Sequence, residues 1–186
     1  MRQILTTWAL IALLFPPAAN ALEYRTVVPG QSTISFAFRQ MGVPMTGGFK
    51  RFTARVAFDP ARPEQSSARV EIDLASIDAG SPEADDEAAG KLWFNRSVYP
   101  KAVFVSSGIR ALGSNRYEMR GTLTLKGVSR ELNVPLIFVP GKDAARFDGT
   151  FTLRRLDFGI GEGMWADVST VANDVQVKFS ITASGK

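Results

Sequence analysis

The 186-residue chain contains no histidine and no cysteine. Neither a Ser-His-Asp nor a Cys-His nucleophile system can be assembled without them, and a His-ligated haem or zinc site is excluded. Disulfides, iron–sulfur clusters and redox thiols are excluded as well. What remains for chemistry is carboxylates, Lys, Tyr, Ser/Thr and Arg, and no metal or other cofactor is expected. Charge of one sign is also scarce. Lys+Arg 22 against Asp+Glu 18 leaves a formal balance of only +4, and the basic residues are scattered without a run that could track phosphates, so nucleic acid is not an expected partner. Neighbouring carboxylates such as Asp85-Asp86 do not face one substrate, which argues against an enzyme. No linker, repeat or low-complexity stretch interrupts the chain. At 45% hydrophobic and 22% charged the composition is that of an ordinary globular domain.

The first 21 residues read as an address. Met1-Arg2 is a short positive start, Ile4–Phe15 is mostly apolar, and Ala19-Asn20-Ala21 after Pro16-Pro17 is the small-x-small pattern behind which a signal peptidase cuts. The apolar run is shorter than the ~20 residues that span a bilayer. A signal peptide over residues 1–21, cleavage after Ala21, a periplasmic location and a single domain over residues 22–186 are therefore expected. Loss of Arg2 takes the balance from +4 to +3.

Beyond Gln31 the dominant period is two. Ile34, Phe36 and Phe38 alternate with polar or small neighbours, as do Ala54, Val56 and Phe58, and Ala68, Val70, Ile72 and Leu74. The same holds for Tyr117–Leu125, Leu132–Phe138, Phe147–Leu153 and Val175–Ile181. Successive side chains of a strand point to opposite faces, so each segment has one apolar and one wet face, as antiparallel sheets require. Lys126-Gly127, Gly141-Lys142-Asp143 and Gly113-Ser114-Asn115 are hairpin turns. With the less regular segments at 23–28 and 101–107, about nine strands are legible. Ser81-Pro82-Glu83-Ala84-Asp85 breaks the pattern as a helix N-terminus, with a cap residue, Pro at the first helical position and acids in the first turn. Its continuation through Leu92-Trp93-Phe94 supplies an apolar end able to plug or cover something.

The expected fold class is all-β: the short amphipathic antiparallel strands leave a sandwich or a closed barrel of about eight strands, with one short helix after the third strand. Its inner face is rich in phenylalanine, with Phe36, Phe38, Phe58, Phe104, Phe138, Phe147, Phe151 and Phe179 all on strands. A barrel of that size either fills itself with side chains or holds one slender ligand. An open apolar lumen would suit a hydrocarbon chain, which gains about 0.8 kcal/mol per buried CH₂. Alternation alone does not decide between the two.

Seven fragments, in order, resemble the YceI family of periplasmic lipid-binding barrels. They are Ser32-x-Ile34-x-Phe36; Gly47-Gly48-Phe49-x-x-Phe52; Phe58-Asp59-Pro60-x-x-Pro63; and Ile72-Asp73-x-x-Ser76-Ile77-Asp78-x-Gly80. The others are Trp93-Phe94-Asn95 with Tyr99-Pro100-x-Ala102-x-Phe104, then Gly121-x-Leu123-Thr124-Leu125-x-Gly127-Val128, and Arg155-Leu156-Asp157-Phe158-Gly159-Ile160-Gly161. The resemblance covers almost all of residues 23–183. It implies an antiparallel, extended lipocalin-like barrel of about eight strands, and an isoprenoid-type lipid, a polyprenyl chain or quinone tail, held or carried along the barrel axis without catalysis. Gln40 departs from the family's His after the first strand, and the helix lacks its usual basic charges. Dimers are common in that family, although no strand here announces a homodimer interface.

The expected apolar lining comprises Ile34, Phe36, Phe38, Val56, Phe58, Val70, Ile72, Phe104, Met119, Leu123, Leu132, Val134, Phe147, Phe151, Phe158, Trp165, Val177 and Phe179. Arg155 follows Phe151 and Leu153 in phase and so points inward. It either contacts a ligand head group at the barrel mouth or closes an ion pair with Asp157 or Asp174. Two other functions stay open: an interaction barrel that partners a membrane redox protein and holds no lipid, and a carboxylate/Arg-based enzyme acting on an amphiphile.

Overall fold

The structure, a computed structural model, describes residues 23–185, so the expected signal peptide lies outside the described residues. Eleven strands form one antiparallel sheet: β1 Tyr24–Val27, β2 Thr33–Gln40, β3 Val43–Phe49, β4 Phe52–Ala57, β5 Ser67–Asp73, β6 Ile77–Asp78, β7 Lys101–Gly113, β8 Arg116–Leu125, β9 Val128–Val139, β10 Ala144–Arg154 and β11 Asp174–Gly185. A single α-helix, α1, spans Pro82–Ala89. The strands run β4-β5-β7-β8-β9-β10-β11-β2-β3-β6, with β1 pairing β11 off that path. The all-β class expected from the alternation is observed, and of the sandwich and the barrel it is the lipocalin-like barrel implied by the resemblance.

Two details differ from the expectation. There are eleven strands rather than about eight, and α1 follows the sixth strand rather than the third. Each of the nine legible segments is a strand. The additional ones are β3, whose alternation is broken by Pro44 and by Gly47-Gly48, and β6, which is only two residues long. Neither carries a readable period of two, because a strand needs several consecutive side chains before alternation shows. The ends of α1 are as its composition dictates. Ser81 Oγ accepts from the Ala84 N–H at 3.2 Å, Pro82 opens the helix, and Glu83 and Asp85 sit in the first turn.

The sheet curls until it nearly meets itself. β3 and β4 follow one another across Lys50-Arg51, so one end of the pairing order and the strand next to its other end lie on one piece of chain. At the far end, β1 bridges β11 to the end of β4. The Tyr24 N–H donates to the Phe58 carbonyl at 3.0 Å and the Phe58 N–H to the Tyr24 carbonyl at 3.1 Å. Behind that bridge Tyr24, Phe58, Tyr117, Phe138 and Phe147 pack with ring centroids 5.0–6.3 Å apart, mostly edge to face, and form a solid floor.

Three glycines shape the wall above the floor. Phe36 lies opposite Gly47, Phe179 opposite Gly149, and Phe104 packs over Gly121, each ring flat on a neighbouring strand where any Cβ would collide with it. The rings therefore lie along the wall instead of projecting across the lumen.

Replacing Gly149 by Ala would drive its methyl into the Phe179 ring and to 2.8 Å from the Pro135 carbonyl oxygen. Gly149→Ala should cost about 1–3 kcal/mol, the usual penalty of overpacking, read as a lower denaturant midpoint at unchanged slope.

Several carboxylates on the outside are held in the charged form by their neighbours. The Arg62 hydrogen bond holds Asp59 below the usual carboxylate range, Lys101 and then Arg69 do so for Glu71, and the Ala75 N–H and then Arg51 for Asp73. A depressed folded-state pKa contributes stability above the unfolded value, lost as pH falls through the folded one. With no histidine to titrate, chemical-denaturation stability should stay level from about pH 5 to 8 and fall below about pH 4.

Candidate functional site

Two connected chambers run through the barrel, one of about 500 Å³ and a deeper one of about 120 Å³ that ends on the aromatic floor. Ile34, Ile72, Leu123, Phe151 and Val177 line both, so the two form one channel. Phe36, Phe38, Phe104, Phe151 and Phe179 are only half-buried although they sit on the inner face, because they border this open space. The question left open by the alternation is thus answered by the glycine-backed wall: the lumen is not filled by its own side chains.

Most of the expected lining residues take their places. Ile34, Phe36, Phe38, Ile72, Leu123, Phe151, Trp165 and Val177 border the large chamber, as does Arg155. Val56, Phe58, Val70, Phe104, Met119, Val134, Phe147 and Phe179 border the small one. Leu132 and Phe158 border neither. Leu132 packs sideways into the hydrophobic core, and Phe158 is 2% exposed among Leu125, Leu153 and Ile160, because the chain leaves strand geometry after Arg154 and the following 3-10 turn carries Phe158 out of the lumen.

Other lining residues carried weaker signals. Met45 and Phe49 belong to β3, whose alternation is broken. Ala84 and Ala88 line the large chamber from α1, one helical turn apart, and small side chains there let the helix approach. Trp93 and Phe94, the apolar end that follows α1, do cover the chamber. Gln40, Glu83 and Glu87 supply polar atoms to its lining.

Arg155 is the unusual residue. It is 2% exposed, and every guanidinium N–H is used. Nε donates to the Ala172 carbonyl at 3.1 Å, Nη1 to Ile160 and Gly161 at 2.8 and 3.0 Å, and Nη2 to Trp165 and Val171, both at 2.7 Å. Its cationic face lies 5.6 Å from the centre of the Trp93 ring, which in turn packs against Trp165 at 5.6 Å. Burial pulls its pKa below the usual arginine range, yet an arginine in a protein stays charged.

The inward direction expected for Arg155 is correct, but both roles offered for it need correcting. Its partners are backbone carbonyls rather than Asp157 or Asp174, and no N–H is left to aim at a ligand head group. The physical reason is local. Residues 155–172 must coil back over the barrel mouth, which turns carbonyls inward, and buried carbonyls need donors. One planar fork serves five of them. Gly161, at φ +77, permits the close wrap, since a Cβ there would meet the Arg155 Nη1. The Trp93 indole Nε1, by contrast, is buried with no hydrogen-bond partner.

A curled antiparallel barrel with an apolar channel, a closed aromatic floor and a mouth organised by loops defines a lipocalin-like binding fold. The chain belongs to the YceI family, whose YceI-like domain matches residues 26–183. A UPF0312 protein of Pseudomonas syringae pv. syringae is 34% identical over 157 residues, covering 80% of this chain and 82% of the relative. The crystal structure of Burkholderia cenocepacia BcnA superposes with a TM-score of 0.83 at 43% identity, covering 84% of this chain and 99% of that one. A polyisoprenoid binding domain from Saccharophagus degradans shares the fold at 14% identity, with a TM-score of 0.68 over 89% of this chain and 99% of that one.

Arg155→Met keeps the bulk but strands five buried carbonyls. The variant should lose on the order of 3 kcal/mol of stability and shift the emission of Trp93 and Trp165, whereas Arg155→Lys should recover only part of either, lacking the planar fork. Fluorescence-monitored urea unfolding measures both.

Proposed function

We propose that this chain is an exported, periplasmic binding protein that carries or stores an isoprenoid-type lipid, a polyprenyl chain or quinone tail, without chemistry of its own. The observation that carries this reading is the continuous apolar channel formed by the two chambers, walled by Phe, Val, Ile and Leu side chains and closed at one end. An apolar chain entering it leaves water at a gain of about 0.8 kcal/mol per CH₂. The bent, slender space favours a flexible linear ligand over a rigid compact one. The fold-mate from Saccharophagus degradans is itself a polyisoprenoid binding domain, which supports the ligand class. The leader sequence in residues 1–21 supports export. Turnover through Arg155 is disfavoured because all its donors are committed to the backbone.

Protein exported in a Gram-negative host should begin at Leu22 and release a stoichiometric prenyl lipid on organic extraction, both read by mass spectrometry. Phe151→Asp, which puts a carboxylate where the two chambers join, should fold yet lose at least about tenfold in prenol affinity, since a buried unpaired charge is strongly disfavoured. Repeated recovery of an empty barrel that takes up no added prenol would overturn the reading in favour of an interaction barrel.

A further inference from the structure

Several large apolar side chains stand in water around one end of the barrel. Met41 is 72% exposed, Val43 57%, Met164 77%, Val168 53% and Leu92 38%. Each neighbours the large chamber in sequence: Met41 and Val43 lie between Gln40 and Met45, Leu92 precedes Trp93, Met164 precedes Trp165, and Val168 lies shortly before Val171. Backbone hydrogen bonds tie the segments that carry them into one unit. The Met41 N–H donates to the Thr170 carbonyl at 2.8 Å, and the Gly161 and Glu162 N–H groups donate to the Leu92 carbonyl at 2.8 and 2.9 Å. These exposed apolar side chains thus form a collar on the segments that bound the large chamber.

The turn between β2 and β3 makes the point more sharply. Met41 sits at φ +48 and Gly42 at φ +80, the left-handed pair of a tight hairpin, where Asn-Gly satisfies the backbone best and is also water-soluble. A methionine there is unfavourable both in backbone conformation and in exposure. Its side chain is best explained by what it meets outside the chain.

We infer that the collar seats the barrel mouth on the surface of a lipid bilayer, so that an apolar ligand passes between membrane and chamber without crossing water. This rests on reading the chamber as a lipid site. A bilayer is the occupant the observations favour because the collar sits on the segments that bound a chamber lined for hydrocarbon, and because its two most exposed members are unbranched, flexible methionines suited to a fluid partner. Charge attraction is not the basis. Charges near the collar are mixed in sign: Arg39, Lys91 and Lys126 on one hand, Asp167 and the Lys126-paired Glu162 on the other. Glu83 and Glu87 on α1 border the same chamber and disfavour an anionic surface. The contact is shallow and apolar, and therefore insensitive to salt.

The test uses the mature chain, phosphatidylcholine vesicles loaded with a fluorescent prenol, and the variants Met164→Glu and Met41→Glu/Met164→Glu. Wild-type protein should float with unloaded vesicles equally at about 0.05 and 0.5 M salt, more weakly when phosphatidylglycerol is added, and the double variant should not float. Prenol uptake from vesicles should fall by about tenfold or more in the double variant and by less in Met164→Glu, while affinity for prenol presented in detergent stays within about twofold. Wild-type protein that fails to float, or a double variant that takes prenol from vesicles at the wild-type rate, would overturn the inference. So would sedimentation showing that the collar joins two copies of the chain. Failure to bind prenol in detergent would instead defeat the lipid reading of the chamber, and flotation would still decide whether the collar meets membranes.

Discussion

The mouth of this barrel hangs on one desolvated charge. The Arg155 guanidinium collects carbonyls from residues 160, 161, 165, 171 and 172, a stretch outside the named strands that pairs with the sheet through the Val171–Gln40 bridge. A charged group so deeply buried is tolerated only when its hydrogen-bonding capacity is met in full, and here backbone dipoles meet it in place of a carboxylate. The consequence extends beyond the bonds. Holding the Trp165 carbonyl brings that indole against Trp93, and holding Val171 and Ala172 fixes the approach to β11 and its bridge to Gln40. The chamber's upper boundary, the tryptophan pair and the exposed collar are all placed by the same side chain.

Keeping the lumen open is the complementary problem. Apolar inner faces tend to collapse onto one another, since interiors pack to crystal-like density. In this barrel collapse stops at the floor, where five aromatic rings meet edge to face, and gives way above it to rings laid flat on glycines. The half-buried state of Phe36, Phe104, Phe151 and Phe179 follows from that arrangement. Apolar surface left facing a channel is unfavourable until something apolar covers it, and this links the architecture directly to ligand capture.

Much of this was legible from residue order. The period of two located most of the long strands, β7 being read only as a less regular segment, and it assigned most lining positions to the inner face because pleating leaves a side chain no third direction. The Ser81-Pro82 start identified α1 through its orphan donors. Where periodicity lapsed, reading lapsed with it. β3 hid behind Pro44 and its glycine pair, which concealed Met45 and Phe49, while Phe158 was assigned to the lining although it lies in a 3-10 turn beyond the strand. Leu132 shows a finer limit: an inward side chain on a curled sheet reaches either the lumen or a neighbour, depending on curvature that no local pattern encodes.

By itself, then, the order of residues determined the chemistry that is absent, the antiparallel class, the family and the apolar character of the inner face. These rest on composition, on a two-residue period and on motifs short enough to be read locally. Only the tertiary structure decided that the lumen is open, that Arg155 is spent on carbonyls, and that scattered apolar residues at 41, 43, 92, 164 and 168 converge on one mouth. Each of those depends on how far apart segments distant in sequence come to rest, which is a matter of sheet curvature and loop closure rather than of neighbouring residues.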